Sequence, residues 1–111
     1  MKLPYAESAI VDVRKLRDYC LSAAHPRGKH KARVFASALG LTAEDSDEFA
    51  DALRDAARRF QAVKGVSDGF GDRYTVDFPL ERDGRTATIR SCWIVLNGER
   101  APRFVTCFLL S

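Results

Sequence analysis

The stretch Arg73-Tyr74-Thr75-Val76-Asp77-Phe78-Pro79-Leu80, with Asp83-Gly84 three residues beyond it, decides the fold. Tyr74, Val76, Phe78 and Leu80 alternate with Arg73, Thr75 and Asp77, and a period of two puts the first set on one face of a strand and the second on the other. Asp-Gly tolerates the positive φ angles of a tight hairpin, so the chain is predicted to turn back into a second strand over 86–96, which ends at Asn97-Gly98. A third strand is predicted over 103–110, with Pro102 at its start, where a missing N–H is tolerable. Consecutive strands joined by short turns make an antiparallel meander.

Towards the N-terminus the period changes. Asp12 can cap a helix over 12–23 in which Val13, Leu16, Tyr19 and Cys20 form one apolar stripe. A second helix is predicted to begin at His25-Pro26, because proline suits the first helical position, and to stop at Gly40, with Ala32, Phe35 and Leu39 inward. Thr42 caps a third, whose acidic first turns suit the positive end of the helix dipole and whose inner stripe is Phe49, Leu53, Ala57 and Phe60. After Gln61 the glycines 65, 69 and 71 read as a turn-rich loop. The expected fold is α+β: N-terminal helices packed on one face of a C-terminal antiparallel sheet of three to four strands.

A chain of 111 residues buries roughly two-thirds of its unfolded surface, enough for one core, so residues 1–111 are expected to form a single domain. No apolar run reaches the roughly 18 residues of a membrane span, and Met1-Lys2-Leu3-Pro4 lacks the apolar stretch expected of a secretory signal. The expected location is therefore the cytoplasm, with no membrane partner. Cys20, Cys92 and Cys107 are widely spaced and contain no Cys-x-x-Cys pair, which points to free buried thiols and to no bound metal.

The formal charge of +3 is small but unevenly placed. Arg14, Lys15, Arg17, Arg27, Lys29, Lys31 and Arg33 face only Asp12 and Asp18 over 12–33. Within that segment, His25-Pro26-Arg27-Gly28-Lys29-His30-Lys31-Ala32-Arg33 gathers both histidines and four further cations at one helix start. Free N–H donors and a partial positive charge at such an end, flanked by cations, make a candidate phosphate site, and Gly28 would let a ligand approach. At ~100° per residue, Lys29 and Arg33 share a flank, His30 faces away from the core, and Lys31 falls beside Phe35 at the seam with whatever the helix packs upon. Lys29 and Arg33 can equally be solvated surface charge. His25 can cap and pack, or serve in proton transfer. On the second strand Arg90 shares a face with Thr88, Cys92 and Ile94, either as a plain surface residue or as an anion fork in a cleft. Thr106, between Phe104 and Phe108, is a good strand former as well as a candidate ligand. Trp93 is expected in the core.

Leu3-Pro4, Lys15-Leu16-Arg17-Asp18-Tyr19, His25-Pro26-x-Gly28-x-x-Lys31-Ala32-x-x-Phe35, Leu39-Gly40-Leu41, Arg90-x-x-Trp93-Ile94 and Pro102-Arg103-x-Val105-Thr106 together resemble a bacterial domain family of uncharacterised function. The His-Pro-x-Gly-x-x-Lys-Ala element is similar to one in polymorphic-toxin domains assigned to the fold shared by barnase, EndoU, colicin nucleases and RelE. The resemblance implies N-terminal helices on a four-stranded antiparallel sheet, with the fourth strand supplied by residues 9–11 or by the segment after Gln61. It also implies metal-independent, cofactor-free RNA cleavage, in which the 2′-hydroxyl attacks the neighbouring phosphate. His25 would be base or acid, Lys31 and Arg90 would stabilise the phosphorane, and Thr106 would orient a phosphate oxygen. Arg27, Gly28, Lys29, His30, Arg33 and Arg103 would hold RNA, and a small antitoxin or immunity protein would be the protein partner. EndoU relatives carry a tyrosine two residues after such a threonine, where this chain has Phe108. The alternative is a module of the same two-gene type that binds nucleic acid or a partner without turnover.

Overall fold

The computed structural model describes residues 1–110 and places the helices ahead of the sheet, as expected. The first helix, α1, is one turn, Val13–Lys15, capped by the Asp12 carboxylate, which accepts the Arg14 N–H at 3.0 Å. It widens at once into a π-helical turn, Leu16–Cys20, closed by the Leu21 N–H on the Leu16 carbonyl. The predicted extension to residue 23 does not form. Instead the Ser22 hydroxyl accepts the N–H groups of Ala24 and His25 and turns the chain.

The second helix, α2, spans Lys29–Leu39 and so starts one turn later than His25-Pro26. Residues 25–28 form a turn in which His25 Nδ1 accepts the N–H groups of Arg27 and Gly28. His25 thus caps a first turn that begins at Pro26, and the Lys29 N–H returns to the His25 carbonyl at 2.9 Å before the regular helix takes over. At the far end Gly40 adopts φ 66°, and the Leu41 N–H reaches back to the Phe35 carbonyl, the left-handed stop read from the sequence. The Asp45 carboxylate accepts the Thr42 N–H at 2.9 Å, and one 3-10 turn, Ala43–Asp45, leads into α3, Ser46–Arg59.

Four strands follow as an antiparallel meander in chain order: β1 Ala62–Ser67, β2 Gly71–Arg82, β3 Arg85–Leu96 and β4 Arg103–Leu109. Asp83 and Gly84 at φ 51° and 77° make the expected hairpin between β2 and β3. The segment read as a loop after Gln61 is the fourth strand. Its turn is compressed because the Asp68 carboxylate gathers the N–H groups of Phe70 and Gly71, which leaves 62–67 free to pair with β2. The other candidate segment contributes one bridge at the opposite edge, where Ile10 exchanges hydrogen bonds with Pro102 and Phe104.

All the helices lie on the face of the sheet that carries Tyr74, Val76, Phe78, Ala87, Ile89, Trp93 and Phe104, and Leu16, Phe35, Leu39, Phe49 and Leu53 pack against it. Trp93 is buried, as expected. Its indole N–H donates to the Ser91 hydroxyl, which donates to the Val76 carbonyl, so the polar atoms in this core are paired. Because the helices fill one face only, the side chains of the other set remain on an open face.

Candidate functional site

Strand register builds the open face in rows. Thr75 pairs with Cys92 and Cys92 with Thr106, while Asp77 pairs with Arg90 and Arg90 with Phe108. The β3–β4 register slips between Cys92 and Trp93, because Val105 is one residue too many between Phe104 and Thr106. Val105 and Thr106 consequently line the same cleft, with Gly65, Arg73, Thr75 and Cys92.

Lys31 reaches this face from α2. Its ammonium donates to Thr106 Oγ1 at 2.9 Å and stands over the rings of Tyr19 and Phe108, at 5.2 and 5.8 Å from their centroids. The seam position inferred from the helical period is where it lies. A lysine ammonium has only donors, so Thr106 Oγ1 must accept this bond and has its own hydrogen left for Cys20 Sγ, 3.8 Å away. Cys20 and Cys107 are buried without a disulfide, and Cys92 is half-buried. A hydrogen bond from Cys107 draws the Cys20 thiol down to about 6 against the effect of burial, aided by Thr106 and the charge of Lys31. The same bond, together with burial, holds Cys107 well above the ordinary thiol range, and burial pushes Cys92 up.

His25 joins this group through Tyr19, whose ring it meets edge-on at a centroid distance of 4.8 Å. With Nδ1 occupied by two backbone N–H groups, the neutral imidazole carries its proton on Nε2. It presents a donor there. Of the two roles expected for it, base or acid, this arrangement offers a proton at Nε2 and leaves Nδ1 no free lone pair.

The remaining expected residues are placed differently. Gly28 opens no approach for a ligand: it is buried, and a β-carbon on it would lie 2.1 Å from the Tyr19 carbonyl oxygen. Its small size lets the start of α2 rest on the π turn. Arg27, Lys29, His30 and Arg33 are exposed, and Lys29 and Arg33 edge a separate hollow with Leu21, Ala36 and Leu41 on another flank of α2 from Lys31. Arg90 is half-buried on the open face, with its fork taken by the Asp77 carboxylate through two bonds of 2.8 Å. That pairing holds the Asp77 carboxyl below its ordinary range. Arg103 is likewise engaged by Glu99 at 2.8 and 3.2 Å. The structure thus brings Lys31 and Thr106 into direct contact, sets His25 and Lys31 against the same Tyr19 ring, and leaves Arg90 and Arg103 with carboxylates already in hand.

Tyr19, Cys20, Cys92, Phe108 and Asp77 are the participants that sequence reading missed. Tyr19 and Cys20 read as two members of one apolar stripe, and nothing in their spacing announces the π turn. Asp77 was recoverable, because the Asp83-Gly84 hairpin fixes the register that sets it opposite Arg90. Among the described residues no three His, Cys, Asp or Glu side chains are grouped as metal ligands, and no helix is long and apolar enough to cross a membrane.

No curated protein matches the sequence. The fold is similar to that of a chain in a contact-dependent growth inhibition toxin–immunity protein complex from Klebsiella pneumoniae 342. The TM-score is 0.69 at 17% identity, with 91% of this chain and 99% of that one covered. At such identity the likeness is one of fold. The sequence itself fits one family model along nearly its whole length, residues 2–111, and the chain belongs to that family, described as Domain of unknown function (DUF6883).

Proposed function

We propose that this domain is a toxin-type endoribonuclease that cleaves RNA by attack of the 2′-hydroxyl on the adjacent phosphate, with no metal in the step. The observation that carries the reading is the Lys31–Thr106 contact, which brings a cation with no carboxylate partner among the described residues onto the open face of the sheet. Lys31 has two further hydrogens to give to a phosphate oxygen as charge develops on the phosphorane. Thr106 fixes where those hydrogens point, and His25 Nε2–H is a second donor beside them. Arg90 adds its charge when a phosphate displaces Asp77. Arg27, Lys29, His30 and Arg33 offer the exposed positive surface along which an RNA backbone would lie, and Arg103 extends it on the strand side. To act as the base that takes the 2′-hydroxyl proton, His25 must first release its two backbone donors, so turnover on this scheme requires the 25–28 turn to loosen; as the P–O5′ bond breaks, Lys31 gives a proton to the departing 5′-oxygen and a 2′,3′-cyclic phosphate is left.

The test is incubation with a mixed RNA pool in EDTA, beside Lys31→Ala and His25→Ala. Cleavage with cyclic phosphate ends that both substitutions suppress supports the proposal, and intact RNA at high protein concentration refutes it.

A non-catalytic binding module is the second reading. The occupied forks of Arg90 and Arg103 and the engaged Nδ1 of His25 favour it. On either reading an antitoxin or immunity protein is the expected partner, in keeping with a fold also found in a toxin–immunity complex.

A further inference from the structure

We propose that the cleft on the open face of the sheet, lined by Gly65, Arg73, Thr75, Cys92, Val105 and Thr106, is the seat of a single unstacked nucleobase belonging to the nucleotide whose phosphate Lys31 holds. This rests on RNA being the ligand, as proposed above. The cleft measures about 320 Å³, near the lower end of the roughly 300–1,000 Å³ usual for small-ligand sites. That is room for a base.

The shape has a local cause. Gly65 contributes no side chain, the Thr75–Cys92–Thr106 row is made of small ones, and the bulge turns Val105 onto the same side as a wall. The lining is chiefly apolar, with the Thr75 hydroxyl and Cys92 thiol available to meet the edge of a base. Arg73 stands at the rim with its charge offset by Asp68 at 2.8 Å, so it offers a flat guanidinium for stacking rather than a second anion site.

Thr106 ties the cleft to the cation, since it lines the hollow and accepts from Lys31. A flat, largely apolar ring joined through a short linkage to one anion is the ligand that suits an apolar hollow whose lining hydroxyl is bonded to one ammonium. The separate hollow beside Lys29 and Arg33 lacks this link to Thr106.

The experiment is an amide NMR titration of the intact chain with each of the four ribonucleoside 3′-monophosphates and, separately, with inorganic phosphate. Nucleotides are expected to shift Gly65, Thr75, Cys92 and Val105 together with Lys31 and Thr106, whereas phosphate shifts only the last two. Cys92→Phe and Val105→Trp, which fill the cleft from different strands, should each abolish the nucleotide-specific shifts and keep the response to phosphate. Identical maps for nucleotide and phosphate, no response to nucleotides, or shifts confined to the hollow at Leu21, Ala36 and Leu41 overturn the proposal. The cleavage assay reports on catalysis independently. Nucleotide shifts in the cleft without RNA cleavage leave the base seat standing and remove the nuclease, while cleavage with identical maps does the reverse.

Discussion

Lys31 and Thr106, 75 residues apart in the chain, meet at 2.9 Å across the seam between α2 and β4. The bond joins the helical layer to the open face of the sheet. Lys31→Met keeps most of the stem and removes the ammonium. It is expected to lower RNA turnover by about 10²–10³-fold, the usual effect of losing one transition-state donor. Thr106→Val should weaken turnover in the same direction with the fold retained, and the double variant should be no worse than Lys31→Met alone, because both remove one interaction. Single-turnover cleavage with circular dichroism on each variant checks this. Additive losses would show that Thr106 acts independently of Lys31.

The Cys20 thiol titrates at about 6 in the folded chain against 9.0 for an ordinary thiol. The unfolded chain therefore binds more protons between those values, so this group contributes stability that is complete above pH 9 and is lost as the pH falls through 6. Cys107 is raised instead and acts with the opposite sign, above 9. Urea midpoints should rise with pH over that window in the native chain, and Cys20→Ser should flatten the rise. An unchanged slope would place the first ionisation elsewhere.

Gly28→Ala should destabilise the fold by about 1–3 kcal/mol, the range for forcing a methyl group into a filled site. The neighbour at 2.1 Å is backbone and cannot swing aside, so relief has to come from moving the π turn that carries Tyr19 and Cys20. The expected signature is a lower urea midpoint together with lost Lys31-dependent activity, because the same shift displaces the Tyr19 ring. Gly69→Ala, where a β-carbon meets nothing within 4 Å, is the matched control.

Asp77→Asn should tighten RNA binding. It leaves the Arg90 guanidinium without its carboxylate and adds one positive charge to the open face. Plotted against log salt, log affinity should steepen by about 0.7, one extra phosphate contact on a single strand. Arg90→Gln in the same background should return the slope to that of the native chain. A slope that Asp77→Asn leaves unaltered would mean that RNA does not reach this row.

Much of the scaffold was legible because local chemistry dictated it. Alternation over 73–80 gave the strand and its buried set, Asp83-Gly84 the hairpin, Gly40 the helix stop, and Lys31 its place at the seam. Asp12 and Thr42 also started their elements as read. Errors arose where two local signals competed. Val13, Leu16, Tyr19 and Cys20 favour a helix running on to residue 23, but the Ser22 hydroxyl captured the N–H groups of Ala24 and His25 that it would have used. Glycines at 65, 69 and 71 read as loop; Gly69 does lie in the turn, but Gly65 lies in an edge strand, which tolerates glycine once β2 supplies its hydrogen bonds, and Gly71 opens β2.

By itself, then, the sequence determined the class of fold, the order of its layers and the identity of the cation at the seam, all of which follow from periodicity and capping among residues close in the chain. Tertiary structure alone decided what that cation meets. The extra residue in β4, the π turn beneath Gly28 and the pairing of β3 with both its neighbours bring Thr106, Cys20, Cys92 and Phe108 around Lys31, and carboxylates from across the sheet or the preceding turn occupy Arg90 and Arg103. Contacts between residues tens of positions apart depend on strand register and packing, which no local pattern encodes.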